Sequence, residues 1–304
     1  KGSGLEGQRT AIGFFLKLSK NCGILRRIFL MKFILSLVVA CSMSFAAQLI
    51  PDEQKTYKKV GDVALRLHIF NPKGHKASDQ RPAIVFFFGG GWSGGTPSQF
   101  YPQCQYLARR GMVAISAEYR VKSRNGTSPL ECVKDGNSAV RWVRSHAEEL
   151  GIDPSKLAAG GGSAGGHVAA ATGTTKDILE KGEDVSVSSK PDALVLFNPV
   201  YDNGPKGYGH SRVKEYWKQI SPMHNLDKET PPTIVFLGTK DKLIPVATAE
   251  KYRLLMKEAG VRSELFLYKE QPHGFFNAAK YDETVEEMDR FLVSLGFLVK
   301  NLKD

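Results

Sequence analysis

Ala158-Ala159-Gly160-Gly161-Gly162-Ser163-Ala164-Gly165-Gly166-His167 is the stretch on which the fold of this 304-residue chain turns. Within it, Gly161-x-Ser163-x-Gly165 frames one serine with residues that carry little or no side chain. The preceding Lys156-Leu157-Ala158-Ala159 suits a buried strand, and the following Val168-Ala169-Ala170-Ala171 suits the start of a helix. Strand, tight turn and helix with a serine at the apex is the geometry of a nucleophile elbow. The serine there takes a strained backbone conformation, and its neighbours stay small because strand and helix pass close together. The same placement puts the serine at a helix N-terminus, where free amides and the helix dipole favour negative charge. A glycine-rich turn with an incidental serine is the plain alternative, and the flanking strand and helix patterns argue against it.

Outward from the elbow, apolar runs alternate with helical patterns. Upstream, residues 63–70 alternate with period two, as in a strand with one wetter face, and residues 83–88 are continuously apolar, as in a strand buried on both faces. Residues 112–116 read as a further strand. Thr96-Pro97 opens a helix expected to run to about Arg110 and to stop at Gly111. Residues 130–150 carry Val133, Val140, Val143, Ala147 and Leu150 along one helical face. Downstream, residues 193–197, 233–237 and 264–268 read as strands; helices follow around Ala249 to Ala259 and Val285 to Leu295. Residues 201–232 are irregular and rich in Gly, Pro, Tyr and His. With no internal repeat and no linker after residue 60, the pattern predicts one α/β domain over residues 48–304. Its mostly parallel central sheet carries helices on both faces.

In such a sheet, reacting groups gather at the carboxyl ends of the strands. A serine nucleophile needs a base to take its proton, an acid to orient that base, and donors for the oxyanion. Three polar residues sit at strand ends in the order Ser163, Asp241, His273, which is the order described for α/β-hydrolases. Of the seven histidines, His273 alone follows the final strand; His210 and His224 fall too early for that order. Asp241 is read as the acid rather than as an ordinary turn aspartate, because its segment ends a strand ahead of the apolar Leu243-Ile244. Gly89-Gly90-Gly91 follows the strand at 83–88, the slot of an oxyanion loop; the amides of Gly90 and Gly91, with that of Ala164, are the expected donors. Trp92 is expected to form a wall of the substrate site.

These residues resemble the α/β-hydrolase superfamily, and within it the hormone-sensitive-lipase-like and acetyl esterases. The resemblance is carried by Gly89-Gly90-Gly91-Trp92, Ala117-Glu118-Tyr119-Arg120, Gly151-Ile152-Asp153-Pro154, residues 160–167 and Pro272-His273-Gly274, and it spans roughly residues 60–296. It implies hydrolysis of a small-molecule or carbohydrate-linked ester through an acyl-enzyme, with no metal or organic cofactor. A small acyl group, acetyl first, on a plant-polysaccharide or feruloyl ester is the expected substrate. Two departures stand out. The family usually has histidine before its triple glycine where this chain has Phe88, so the loop's bracing must come from elsewhere. Only about a dozen residues separate the leader from the first strand, too few for a large helical cap, so the site is expected to be open, with little or no cap. A serine peptidase of the same superfamily and a non-catalytic binding module that kept the fold are the rival readings. The first usually carries a large specificity domain that 304 residues cannot hold; the second has no need of Ser163, Asp241 and His273.

The net charge of +11 is concentrated at the start: residues 1–47 hold seven basic residues and one acid, and the remaining charges are interspersed. That is a solvated surface and not a nucleic-acid-binding stripe. Met31-Lys32, the apolar residues 33–40 and Ser44-Phe45-Ala46 have the layout of a signal peptide over residues 31–47, too short to span a membrane; residues 1–30 read as upstream sequence. An exported protein starting near Ala47 is expected. A lipid anchor through Cys41, after Val38-Val39-Ala40, is the alternative. No cysteine pair has a zinc-ligand spacing; Cys104 and Cys132 are either one disulfide or two buried thiols. Oligomeric state is not legible.

Overall fold

The computed structural model describes residues 49–176 and 178–300. The expected leader at 31–47, the upstream residues 1–30 and Cys41 lie outside the described residues.

Eight strands form one sheet: β1 Glu53–Val60, β2 Val63–Phe70, β3 Arg81–Phe87, β4 Val113–Ala117, β5 Ile152–Gly162, β6 Ala193–Phe197, β7 Thr233–Gly238 and β8 Ser263–Tyr268. Their order across the sheet is β1-β2-β4-β3-β5-β6-β7-β8. β1 and β2 pair antiparallel, as do β2 and β4, and every pairing from β4 to β8 is parallel. The mostly parallel sheet expected from the sequence is therefore present, with an antiparallel hairpin along one edge.

Period two divides the core. Ile84, Phe86, Ala158, Val195, Ile234 and Phe236 face one side, where they meet α1 (Tyr101–Arg109) through Cys104 and Leu107 and the C-terminal helix Tyr281–Ser294 through Val285, Met288 and Leu292. Val85, Phe87, Ala159, Leu194, Leu196 and Val235 face the other side. There they meet α2 (Pro129–Ser145), α3 (Ala164–Thr174) and α4 (Val246–Glu258) through residues such as Cys132, Val168 and Tyr252. With α5 (Tyr281–Ser294) completing the first layer, both sheet faces are covered, and that is why the central strands carry runs such as Ala83–Phe87 and Ala193–Phe197 that are apolar at consecutive positions. Cys104 and Cys132 are both free and buried, one on each side of the sheet, so the disulfide alternative is corrected: a sheet lies between the two sulfurs.

Local chemistry sets the boundaries. α2 starts one residue earlier than its apolar face suggests, at Pro129, because Ser128 and Glu131 form a capping box around it. The helix expected from Thr96 splits into a 3-10 turn at Pro97–Phe100 and then α1. β1 was not expected. Its sequence, EQKTYKKV, buries Tyr57 and Lys58 and presents charge elsewhere, as suits an edge strand that must resist pairing with another chain.

Candidate active site

β5 ends at Gly162 and α3 begins at Ala164, leaving Ser163 alone between them with φ 54° and ψ −118°. For a residue with a side chain that is a strained conformation, held here by three backbone hydrogen bonds. The Ser163 N–H donates to Phe197 O (3.0 Å), and its carbonyl accepts from His167 N (3.0 Å) and Val200 N (3.1 Å). Gly165 shows why the frame must be small: a Cβ there would lie 2.0 Å from Phe87 O and 2.3 Å from Phe88 O. The first turn of α3 thus rests directly on the end of β3.

Ser163, Asp241 and His273, 78 and 32 residues apart along the chain, are brought together at one rim of the sheet. His273 Nε2 lies 2.9 Å from Ser163 Oγ, and His273 Nδ1 lies 2.7 Å from Asp241 Oδ2. The other carboxylate oxygen of Asp241 accepts from the amides of Leu243 (2.8 Å) and Ile244 (3.0 Å), and its side chain is fully shielded from solvent. A carboxylate can only accept, so the ring hydrogen belongs on Nδ1 and the Nε2 lone pair faces the serine hydroxyl.

The glycine loop lies against the serine: a Cβ on Gly89 would come within 3.4 Å of Ser163 Cβ. Gly89 N–H donates to Gln99 Oε1 at 2.6 Å. Among the described residues, the amides of Gly90, Gly91 and Ala164 have no protein acceptor, so those three donors remain for a bound oxygen. Gly90 and Gly91 adopt φ 133° and 61°, which orients the loop in a way most side chains would resist. The bracing that a histidine usually gives is distributed here. Tyr119 stacks on Phe88 with ring centroids 4.2 Å apart and donates its hydroxyl to Phe88 O (2.6 Å), while Arg124 and Arg212 donate to Gly95 O and Gly91 O (both 2.8 Å).

Trp92 is not a wall of the site. It takes φ 58°, is 1 % exposed, and turns into the core, where its indole N–H donates to His167 Nδ1 (3.2 Å). Tyr208 and Arg212 cover its outer side. His167 in turn donates from Nε2 to Ile220 O (2.9 Å), so one buried histidine ties the glycine loop to the irregular stretch. Burial pushes its pKa down to about 4, which keeps it neutral. Sequence reasoning assigns no role to Gln99 or Asn198 and takes Tyr119 only as part of a family motif; Asn198, the residue that follows β6, contacts the His273 ring.

The BD-FAE family matches residues 67–203 and the dienelactone hydrolase family matches residues 190–291. Esterase 2 of Thermogutta terrifontis, in its propionate-bound structure, is 46 % identical with a TM-score of 0.77, covering 82 % of this chain and 96 % of that one. The same esterase phosphoramylated by tabun is 45 % identical with a TM-score of 0.80, covering 85 % and 100 %. The chain belongs to the α/β-hydrolase carboxylesterases. An Arabidopsis thaliana probable isoprenylcysteine alpha-carbonyl methylesterase is 28 % identical over 232 residues, 68 % of this chain and 48 % of that protein. An acetylxylan esterase of Xylanibacter ruminicola is 27 % identical over 245 residues, 74 % of this chain and 46 % of that protein. The chain spans about half the length of the curated relatives it matches. Among the described residues, no helix is long and apolar enough to cross a membrane.

Proposed function

We propose that this protein is a serine carboxylesterase acting on esters of short acyl groups, with Ser163 as nucleophile, His273 as general base and acid, and Asp241 as the acid that orients the ring. The single observation that carries this reading is the unbroken line from Ser163 Oγ to His273 Nε2 (2.9 Å) and from His273 Nδ1 to Asp241 Oδ2 (2.7 Å). His273 Nε2 takes the hydroxyl proton as Oγ attacks the ester carbonyl carbon. The carbonyl oxygen becomes an oxyanion held by the Gly90, Gly91 and Ala164 amides, each worth about 3–4 kcal/mol of barrier in comparable sites. The ring then passes its proton to the departing alcohol oxygen, leaving an acyl-enzyme; water, deprotonated by the same ring, releases the acid.

One finding among related proteins supports a short acyl group. The related Thermogutta esterase is described with propionate and butyrate bound. A saccharide-linked acetyl ester is the natural substrate we infer, on the likeness to an acetylxylan esterase, and export through the leader at 31–47 belongs to the same proposal.

The test is covalent labelling by a fluorophosphonate together with a turnover panel. Wild-type protein is expected to label and Ser163→Ala to stay unlabelled, with kcat/KM falling on the order of 10⁴-fold or more. Rates are expected to fall from acetyl and butyryl to octanoyl esters, with acetylated xylan among the substrates turned over. Failure of the native protein to label would favour a binding module. Octanoyl esters turned over as fast as acetyl would remove the short-acyl assignment. Secreted material is expected to begin near Ala47.

A further inference from the structure

We propose that Asn198 is a positioning residue for the reaction: it holds the His273 ring with its Nε2 lone pair toward Ser163 and opposes retention of a proton on that nitrogen. This rests on the reading of His273 as the base.

Asn198 is the first residue after β6, fully buried, and takes φ 34°, a conformation that asparagine tolerates better than most side chains. Its backbone N–H donates to Phe236 O (2.7 Å), which fixes it at the end of the sheet. Both ends of its side chain are committed to the histidine loop. Oδ1 accepts from Gly274 N at 3.2 Å, and Nδ2 lies 3.3 Å from His273 Nε2. The first bond settles the second: an amide N–H can only donate, so Gly274 must face the oxygen, and the NH₂ group must face the ring.

Neutral Nε2 carries one lone pair, which the Ser163 hydroxyl and the Asn198 NH₂ group share as donors, whereas protonated Nε2 carries none and accepts from neither. Asn198 therefore favours the ring form that accepts the Ser163 proton and disfavours the imidazolium that follows, which promotes onward delivery of the proton to the leaving oxygen. When Oγ is acylated it has no hydrogen to donate, and Asn198 remains a donor to Nε2 while water approaches. Asp241 is the charged group in contact with the ring, on Nδ1; Ser163 and Asn198, both neutral, meet Nε2.

Asn198→Asp keeps the size and the acceptor for Gly274 but places a carboxylate where the donor stood. Its acid limb in kcat/KM against pH is expected to move up by about one pH unit or more, with kcat reduced and KM little changed. Asn198→Gly, which suits φ 34°, is expected to move the limb the same way by less. The titration of the His273 ring, followed by NMR and assigned by its absence in His273→Gln, is the second readout and does not depend on turnover. A ring midpoint and acid limb in folded Asn198→Asp that coincide with the parent's would overturn the proposal; if that variant does not fold, Asn198→Gly decides on the same criterion. A shifted ring titration in a protein that hydrolyses no ester would uphold the contact and reject the esterase reading instead.

Discussion

Two tightly held regions of this molecule are held by opposite means. At the elbow, backbone meets backbone: α3 sits on the carbonyls of Phe87 and Phe88 with nothing but the hydrogen of Gly165 between them. Behind β1, four charged side chains from four segments meet. Lys58 of β1 lies 2.7 Å from Asp135 Oδ1 of α2 and 3.0 Å from Glu180 Oε2 of the segment after α3. Arg120, just past β4, donates Nε and Nη2 to Asp135 (both 2.8 Å) and Nη2 to Glu180 (2.6 Å). Two cations and two anions cancel there, and Asp135 has no exposed surface. Both regions support the glycine loop. The elbow abuts it directly, and Arg120 follows Tyr119, whose hydroxyl holds Phe88 O. The difference is in how each constraint is written in the chain. A steric one reads as a contiguous motif, whereas an ionic one is scattered over more than a hundred residues.

The sharpest way to break the comparison is to add one carbon at the elbow. Gly165→Ala forces a Cβ to within 2.0 Å of a carbonyl oxygen that belongs to the central sheet. That oxygen cannot move without displacing β3. Loss of more than about 4 kcal/mol of stability is expected, seen as insoluble protein or a collapsed urea midpoint. Gly94→Ala is the control, because nothing lies within 4 Å of the added carbon; parental stability is expected. A Gly165→Ala protein with the parental midpoint would show that the helix can lift from the strand.

Next in size is Asp135→Ala, which strands Lys58 and Arg120 beside Glu180 alone. Breaking a buried ion cluster by removing one partner costs about 3–5 kcal/mol, because an uncompensated charge is left behind. Urea unfolding measures it, and a loss under about 1 kcal/mol would mean that water reaches the cluster and that the two regions are not equally dry.

His167 sharpens the comparison through pH. Its pKa is pushed down by burial to about 4 from an ordinary 6.5, and its neutral Nδ1 accepts from Trp92. Above about pH 7.5, a unit over the ordinary value, the ring is neutral folded and unfolded, and contributes no pH dependence. As pH falls from 6.5 toward 4, the unfolded chain binds a proton that the folded one refuses, so stability drops by up to roughly 3 kcal/mol and then levels off. Urea midpoints taken across that window in wild type and His167→Gln isolate this part; identical slopes would mean that the folded ring can protonate in place.

What the sequence reveals follows the same division. The elbow, the central strands and the order Ser163, Asp241, His273 are legible because each is a local pattern: small residues in a row, an apolar run, a polar residue at a strand end. β1 is not legible, since five of its eight residues are charged or amide-bearing and its partners are supplied by β2 and the ion cluster. Trp92 misleads for a physical reason. An aromatic beside an oxyanion loop suggests a substrate wall, but a positive φ and a lone pair on His167 turn the indole inward. Asn198 has no local signature, since a buried asparagine before proline reads as a strand terminator until β8 and its loop are laid beside it.

The smallest effect concerns the two cysteines, one in each core layer. Cys104 on α1 packs with Phe86 and Leu107, while Cys132 on α2 donates its thiol to Arg120 O at 3.1 Å, close to the ion cluster. Burial pushes both thiols well above the usual range, with Asp135 adding to the effect at Cys132, so neither is available as a thiolate. A disulfide would stabilise the fold by roughly 2–4 kcal/mol, and reductant would remove that amount. With the sheet between the sulfurs, millimolar reductant is expected to leave the thermal midpoint unchanged, and thiol reagents are expected to modify Cys104 and Cys132 only after unfolding. A midpoint that falls on reduction would require a covalent link between the layers, and would make the ion cluster share its role of fastening α2 with a bond that the sheet excludes.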